Sequence, residues 1–271
     1  MDTLSGRETP GGGCACAIRV WRDYMFDETI DEKYIVYQEG TSEGTQIKYK
    51  KDGYWYKLDS QGNEGLCEYL ASTLLQYSDL KPDEYIRYEQ GLINGRPGCR
   101  SKDFLEHEDE ELVTIYRLYY NEYGRNLAEV LAGQETMEER IAYTTQFVKK
   151  STGCDITDYL KKTITLDRLI LNEDRHVNNL ALIGTDSGFR AAPIFDNGKS
   201  LLTANPSFNK ILPLSENVKR VIARPFSGSF QQMYDYFGAG FKIDVSRALS
   251  WLENEPESRE KSILMYQLKT L

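Results

Sequence analysis

Short runs rich in aromatic and aliphatic residues, separated by polar and glycine-containing connections, recur between residues 34 and 104. These runs predict a series of strands over residues 34–38, 45–50, 53–58, 85–92 and 96–104. The Lys51-Asp52-Gly53 sequence has the composition of a tight hairpin turn between the second and third of these strands. Residues 1 to about 30 show no regular period and are expected to be irregular. The first part of the chain is therefore expected to form an antiparallel sheet.

One helix interrupts the strand pattern. Over residues 64–77 the apolar side chains recur at helical spacing and form one stripe, made by Leu66, Tyr69, Leu70, Leu74 and Tyr77. Asn63 directly precedes this segment and is the expected N-cap. The first part of the chain is thus predicted to be a sheet that carries one helix.

Helical spacing dominates after residue 104. A first helix is expected to begin in the acidic run 108–111 and to end at Gly124, and further helices are predicted over 137–148 and 157–171. The apolar content of the 157–171 segment suggests that it is the most buried helix. A sheet followed by helices is an α+β arrangement. We therefore expect an N-lobe over residues 1–103 and a mainly helical C-lobe over residues 104–271, with a cleft between them.

A polar cluster follows the 157–171 helix. Residues 172–179 contain carboxylate, guanidinium, imidazole and amide groups, and an apolar strand comes next. The chain then turns at residues 185–188 and returns as a second strand, directly followed by Asp196-Asn197-Gly198. A loop rich in Asp and Asn, a hairpin and an Asp-x-Gly sequence is the order found in the catalytic loop and metal site of kinases.

Three side chains in this region suit phosphoryl transfer, which requires an aligned nucleophile and cations that neutralise the phosphate oxygens. Asp174 is expected to accept or orient the proton of the attacking hydroxyl, and Asn179 and Asp196 are expected to bind Mg²⁺. Asn179 follows Asp174 by five residues, as the corresponding pair does in protein kinases. Gly198 is expected to let the chain turn sharply after the metal ligand.

Each of these residues also has an ordinary structural interpretation. Asp174 and Arg175 could form a surface ion pair, Asn179 could cap a turn, and residues 196–198 could be a simple turn. Their combination in this order favours the catalytic interpretation. For His176, we favour a packed and hydrogen-bonded loop residue over a catalytic contact to phosphate.

The first part of the chain contains candidates for holding the phosphates. Lys57 lies on a predicted strand after a glycine-containing turn, where a kinase places its phosphate-pairing lysine, although an exposed lysine is the simpler interpretation. Glu64 and Glu68 share one face of the following helix, and we expect Glu68 to pair with Lys57 because it lies within the helix. Backbone N–H groups and hydroxyls are expected to cover the phosphates at a short connection that contains Gly40, Thr41, Ser42 and Gly44.

Composition and charge narrow the possible functions. The 271 residues carry a net charge of −9 without a dominant basic run, so binding to nucleic acid is not expected. No stretch reaches the roughly 20 apolar residues of a membrane span, and the N-terminus lacks the pattern of a signal peptide. The five cysteines are odd in number and irregularly spaced, which favours free thiols and a cytoplasmic protein.

Four segments resemble the HipA-like kinase family and its short, CtkA-like members, namely residues 55–59, residues 64–71, residues 169–176 with Asn179, and residues 192–198. The resemblance implies a bilobal protein-kinase-like fold, ATP and Mg²⁺ as cofactors, and phosphorylation of Ser or Thr in a protein substrate, often including autophosphorylation. It also implies that Asp174 is catalytic, that Asn179 and Asp196 are metal ligands, and that Lys57 contacts the ATP phosphates. Ser42, Thr45 and Ser200 are candidate autophosphorylation sites.

Two features separate the chain from its larger relatives. The full-length HipA toxins have an additional N-terminal subdomain, for which the 33 residues before Tyr34 leave no room, so a dedicated antitoxin partner is not expected. No Ala-Pro-Glu segment follows Asp196, so the peptide substrate cannot be identified. The alternatives are a phosphoinositide or other small-molecule kinase, a non-catalytic ATP-binding module, and nucleotidyl transfer. The acidic charge argues against a membrane-bound substrate.

Overall fold

The computed structural model of the protein describes residues 26–37 and 46–271. Its first part is a five-stranded sheet with the spatial order β1-β4-β5-β3-β2, made by β1 (Phe26–Glu28), β2 (Lys48–Lys51), β3 (Tyr54–Leu58), β4 (Tyr88–Ile93) and β5 (Arg96–Lys102). Neighbouring strands are antiparallel except for the parallel pair β1 and β4. Helix α1 (Glu64–Leu75) connects β3 to β4 and packs on β4 and β5.

The β2–β3 hairpin places Lys48 directly opposite Lys57. Asp52 and Gly53 form its turn with φ angles of 50° and 77°, a left-handed conformation that favours these residue types. Side chains directly opposite each other in an antiparallel pair lie on the same face of the sheet. The turn predicted at residues 51–53 is therefore confirmed, and its register brings two lysines side by side.

The first turn of α1 approaches strand β5 closely because both elements have a glycine at the contact. A Cβ added to Gly65 would lie 2.6 Å from the carbonyl carbon of Gly98, and a Cβ on Gly98 would lie 2.3 Å from the carbonyl oxygen of Lys57. Neither position accommodates a side chain without moving backbone. This close packing holds α1, and with it Glu68, against the strands that carry the lysines.

The second part of the chain contains a three-stranded antiparallel sheet, eight α-helices and the 3-10 helix Val218–Arg220 within the described residues. The sheet consists of β6 (Glu111–Thr114), β7 (Ala181–Thr185) and β8 (Gly188–Ala191). The helices are α2 (Ile115–Tyr123), α3 (Leu127–Ala132), α4 (Met137–Thr152), α5 (Thr157–Ile170), α6 (Leu214–Asn217), α7 (Phe230–Phe237), α8 (Val245–Asn254) and α9 (Arg259–Lys269). One apolar core joins α1 to this part, with Leu70 and Leu74 packed in the same cluster as Leu160 and Ile164. The architecture is a mixture of helices and largely antiparallel sheet.

One predicted element is shortened and another begins late. The strand predicted at 34–38 is reduced to an isolated antiparallel bridge between Ile35 and Tyr49, because Glu32–Tyr34 forms a 3-10 helix that Asp31 caps with its side chain. The helix predicted to begin at 108–111 begins only at Ile115, because Glu111–Thr114 pairs with β7 as a strand. The side chain of Thr114 then caps the helix by accepting a hydrogen bond from the backbone N–H of Arg117.

The predicted order of helix burial is also wrong. Eleven of the twelve residues of α1 are buried, compared with nine of the fourteen residues of α5. Helix α1 lies between the sheet and the C-terminal helices, whereas α5 retains one exposed face. In addition, Asn63 makes no side-chain capping bond. The carboxylate of Glu64 instead accepts hydrogen bonds from the backbone N–H groups of residues 60–62.

Within the described residues, no helix has the length and apolar character that crossing a membrane requires.

Candidate active site

Lys57 lies at the centre of a buried cluster of charged groups. Its Nζ is 2.8 Å from Oε1 of Glu68 and 2.9 Å from Oδ1 of Asp196. The hydroxyl of Tyr88 lies 3.4 Å from the same nitrogen. Strand β3 supplies the lysine, helix α1 the glutamate and the loop after β8 the aspartate, so three separate segments meet at one ammonium group.

Glu68 also holds the loop that carries Asp196. Its second carboxylate oxygen accepts a hydrogen bond from the backbone N–H of Asn197, at 2.8 Å. Asp196 itself has a φ of 61°, in the left-handed region that non-glycine residues rarely adopt and that is enriched at functional sites. The sharp turn predicted at Gly198 is thus made at Asp196. Gly198 serves close packing, since a Cβ there would lie 3.2 Å from Cβ of Glu64.

The electrostatics of the cluster favour charged forms of Lys57 and Asp196. Burial opposes the charge on Lys57, but the carboxylates of Asp196 and Glu68 raise its pKa well above the ordinary value. Burial likewise opposes the charge on Asp196, but Lys57 and Lys48 hold the pKa of this carboxyl well below its usual range. Burial raises the pKa of Glu68, against the opposing effect of Lys57. The aspartate is therefore anionic at neutral pH, which is the form that a divalent cation would require of it.

Lys48 is a second cation of this cluster that the sequence analysis missed. Burial lowers the pKa of Lys48, with Asp196 acting in the opposite direction and Lys57 in the same direction. Its ammonium therefore lies within the electrostatic reach of both residues. The signal for it is present in the sequence, because a two-residue turn at Asp52-Gly53 fixes residue 48 opposite residue 57.

The catalytic-loop candidate Asp174 is partly exposed and forms an ion pair with Lys199. Nζ of Lys199 lies 3.3 Å from Oδ2 of Asp174. The carbonyl oxygen of Lys199 accepts a hydrogen bond from the backbone N–H of Glu173, at 3.3 Å, so the two loops are also joined through the backbone. Lys199 was not among the predicted site residues. It directly follows the Asp-x-Gly sequence, which is the feature that could have drawn attention to it.

Arg175 connects the loop of residues 172–179 to the loop that carries Asp196. Its guanidinium is buried and forms an ion pair with Asp167 of α5, with N–O distances of 2.9 Å. It also donates to the carbonyl oxygen of Phe195 at 2.7 Å and to Oδ1 of Asn197 at 2.7 Å. The ion-pair partner of Arg175 is therefore Asp167, eight residues earlier in the chain. The surface ion pair with Asp174 that the sequence left open is not formed. The charged Asp167 within a buried helix is the sequence feature that could have indicated this pair.

His176 does not match the hydrogen-bonded role that we favoured. Its Nδ1 is buried and makes no hydrogen bond with the described residues. Burial lowers the pKa of His176, with Asp174 and Asp196 acting in the opposite direction. The ring therefore lies close to both candidate catalytic carboxylates and favours its neutral form.

Several predicted residues do not join this cluster. Glu64 makes no contact with Lys57, since its carboxylate is held by the backbone N–H groups before α1. Ser200 is fully buried, which keeps its hydroxyl from a kinase site in this conformation. The predicted phosphate-covering connection lies outside the described residues, and with it Gly40, Thr41, Ser42, Gly44 and Thr45. Of the five cysteines, Cys67, Cys99 and Cys154 are free thiols, and Cys14 and Cys16 lie outside the described residues.

Comparison with known proteins supports the fold. No protein-family model and no curated protein matches the sequence. The structure is similar to that of the proinflammatory kinase CtkA of Helicobacter pylori, with a TM-score of 0.54 and 17% identity over 83% of this chain and 88% of that chain. It is also similar to a chain of the toxin–antitoxin complex of HipA, HipB and operator DNA from Shewanella oneidensis MR-1, with a TM-score of 0.51 and 13% identity over 98% of this chain and 74% of that chain. The chain has a HipA/CtkA-like kinase fold.

Within this kinase fold, the available donor groups fit Mg²⁺ bound together with phosphates. Mg²⁺ is commonly held by one or two carboxylates, substrate phosphates and water. Asp196 supplies a carboxylate, and the amide nitrogen of Asn179 donates to the carbonyl oxygen of Asp174 at 3.2 Å, which leaves Oδ1 of Asn179 as the ligand atom. Among the described residues, no group of three or more His, Cys, Asp or Glu side chains is placed to hold a metal without further ligands. The donor set thus suits a cation that arrives with a nucleotide.

Proposed function

We propose that the protein is an ATP- and Mg²⁺-dependent phosphotransferase that phosphorylates serine or threonine hydroxyls of a protein substrate and of itself. The observation that carries this proposal is the position of the Lys57 ammonium between Glu68 and Asp196. A lysine held by a helix carboxylate next to a metal-binding aspartate is the arrangement that a kinase uses to orient phosphates. The kinase fold supports the same function.

In this proposal the two sheets belong to two lobes. The N-lobe contains the five-stranded sheet and α1, and the C-lobe contains the remaining helices and the three-stranded sheet. The chain passes between them through residues 103–110, where Phe104 packs on Phe195 with ring centroids 6.1 Å apart. This crossing is the proposed hinge against which adenine binds.

The chain's own residues have distinct roles in the proposed reaction. Lys57 and Lys48 hold the phosphates from the sheet, and Asn179 and Asp196 would hold Mg²⁺, which would supply charge neutralisation at the transferred phosphoryl group. Asp174 accepts the hydrogen bond of the acceptor hydroxyl and takes its proton as the new O–P bond forms, while the bond from the γ-phosphorus to the β–γ bridging oxygen breaks and ADP leaves. Lys199, paired with Asp174, adds positive charge on the side from which the acceptor approaches.

The proposal is tested by incubating the full chain with ATP and Mg²⁺ and measuring its intact mass. We expect added phosphate on Ser or Thr in the wild type, and a loss of at least about 100-fold in rate for Asp174→Asn and for Asp196→Asn. Asp186→Asn, in the exposed turn between β7 and β8, is the matched control and should retain the wild-type rate. Equal labelling of all folded variants would rule out the assigned site.

The same measurement separates the alternative functions. Addition of a nucleotide-sized mass in place of phosphate would indicate nucleotidyl transfer. Binding of ATP without transfer to any hydroxyl would indicate a non-catalytic module. Labelling of phosphoinositide in vesicles, with none in protein, would indicate a lipid kinase.

A further inference from the structure

A cavity of about 420 Å³ lies directly beside the catalytic loop. Its floor is apolar and comes mainly from α3, with Ala128, Leu131 and Ala132. Its other walls contain His176 of the catalytic loop and two arginines, Arg140 and Arg224. No carboxylate is present among the described residues that line it. In a protein with a net charge of −9, this is a locally cationic surface.

The cavity borders the site of the proposed reaction through His176. This residue lies two positions after Asp174 in the same loop, and its ring is within electrostatic reach of Asp174 and Asp196. Its Nδ1 is buried without a hydrogen-bond partner among the described residues. A molecule in the cavity therefore lies against the loop that carries Asp174, in contact with His176.

The two arginines of the wall differ in how they are held. The guanidinium of Arg140 donates to three backbone carbonyl oxygens, those of Leu131, Gln134 and Phe226, at 2.9 to 3.1 Å, so its charge is fixed in place. Arg224 is exposed and makes no hydrogen bond or ion pair within residues 26–37 and 46–271. The carboxylate of Glu173 lies within electrostatic reach of Arg224 but forms no ion pair with it, and accepts a hydrogen bond from Asn205 at 2.6 Å. Arg224 is thus available to an anionic group.

The segment that carries Arg224 also exposes an apolar side chain, which suits the binding of a peptide. Val221, Ala223 and Phe226 are buried, which leaves Ile222 and Arg224 on the outer side of the chain. Ile222 is 65% exposed. An apolar side chain next to an unpaired cation fits an extended peptide with an apolar and an acidic residue better than it fits a compact small molecule.

We propose that this cavity is the acceptor site and that it selects a peptide segment with an acidic residue close to the phosphorylated Ser or Thr. Arg224 binds the acidic side chain, the apolar floor from α3 receives the neighbouring residues, and the acceptor hydroxyl reaches Asp174 past His176. This inference rests on the proposed kinase function and adds the class of substrate to it.

The test uses the full chain with ATP, Mg²⁺ and a positional library of peptides that have a central Ser or Thr. One flanking position at a time is fixed as Asp, Glu, Lys or Arg. We expect the wild type to prefer acidic over basic peptides by about five-fold or more at one position or more, the ratio that one charge pair supplies. Arg224→Ala should remove this preference, and Arg224→Glu should reverse it.

Arg220→Glu is the matched control. Arg220 is exposed, lies four residues before Arg224 and does not line the cavity, so the same change in net charge should leave the acidic preference intact. The absence of a charge preference in the wild type, or an equal effect of both Glu variants, would overturn the inference. If no peptide is labelled while the chain still phosphorylates itself, the acceptor site is wrong and the kinase function stands. If self-labelling is also absent and ATP does not bind, the proposed function fails with it.

Discussion

Two ion pairs are formed by neighbouring residues of the loop after α5, Asp174 and Arg175, and differ sharply in their surroundings. Arg175 and Asp167 are almost completely removed from solvent, with side chains 1% and 0% exposed. Lys199 and Asp174 are 41% and 29% exposed at the surface of the site. The guanidinium of the buried pair is saturated with hydrogen bonds, whereas the ammonium of the exposed pair has a single carboxylate partner.

This difference in exposure indicates that one ion pair has a structural role and that the other can interact with a ligand. A buried pair with all its hydrogen bonds satisfied fixes the relative position of the loops, and breaking it leaves a lone charge in the protein interior. An exposed pair contributes little to stability but can exchange its partner for a ligand. Arg175 therefore orders the loops that carry Asn179 and Asp196, whereas the exposed pair of Asp174 and Lys199 is the one that the proposed function places beside the reacting groups.

The largest effect is expected on stability, from Arg175→Met. This change leaves the Asp167 carboxylate buried without its partner, so the free energy of unfolding should fall by about 3–5 kcal/mol. Urea denaturation measures the loss. The double variant Arg175→Met, Asp167→Leu should recover much of it because no lone charge remains, but it should stay inactive because the bonds to Phe195 and Asn197 are gone. A single variant as stable as the wild type would remove the distinction between the two pairs.

A smaller effect, confined to activity, is expected from Lys199→Met. The initial rate of transfer should fall by about 10- to 100-fold because a cation near the transferred phosphoryl group is lost. The unfolding free energy should change by no more than about 0.5 kcal/mol, as is usual at an exposed site. Lys199→Arg should restore a large part of the rate, while the affinity for ATP, measured by titration, should be similar in all three proteins. If Lys199→Met loses stability instead of activity, Lys199 has a structural role and the prediction is wrong.

The smallest effect concerns pH and His176, the residue that directly follows Arg175. Burial lowers the pKa of His176 from its ordinary value of 6.5, so in that range the unfolded chain binds a proton that the folded chain resists. Stability should therefore fall as the pH drops below about 6.5. His176→Asn should reduce this slope in denaturation curves taken between about pH 5 and about pH 8. His107→Asn, at the other histidine and at an exposed position, should leave it unchanged. If unfolding free energy changes with pH equally in all three proteins, the burial of His176 does not cause the pH dependence.

Local patterns predicted the parts of the structure that depend on neighbouring residues. The turn at Asp52-Gly53, the end of α2 at Gly124 and the hairpin between β7 and β8 all follow from residue types at fixed positions, and the structure confirms them. The strand Glu111–Thr114 was missed because its acidic start resembles a helix N-terminus, while its pairing with β7 joins residues about seventy positions apart. Such long-range pairing is not encoded in a short window.

The candidate site shows the same limit. The residue types of Lys57, Glu68 and Asp196 and their order along the chain suggested a cluster, and the structure brings the three together. The pairing of Arg175 with Asp167 was not predicted, because a charged residue next to Asp174 is most simply interpreted as its surface partner. Asp167 becomes the partner of Arg175 because α5 is buried, which the local sequence does not show. The cavity beside His176 could not be predicted either, since four distant segments form it.

The burial of α1 also limits how this helix can move. In many kinases this helix pivots, and the lysine–glutamate pair forms only in the active position. Here the helix is wedged between the sheet and the C-terminal helices, and the hydroxyl of Tyr69 on α1 donates a hydrogen bond to Glu255 at the end of α8, at 2.8 Å. An outward swing would require the last two helices to detach as well. If the proposed kinase function holds, inhibitors that capture a swung-out helix should bind this protein weakly, because the packing of α1 opposes that state.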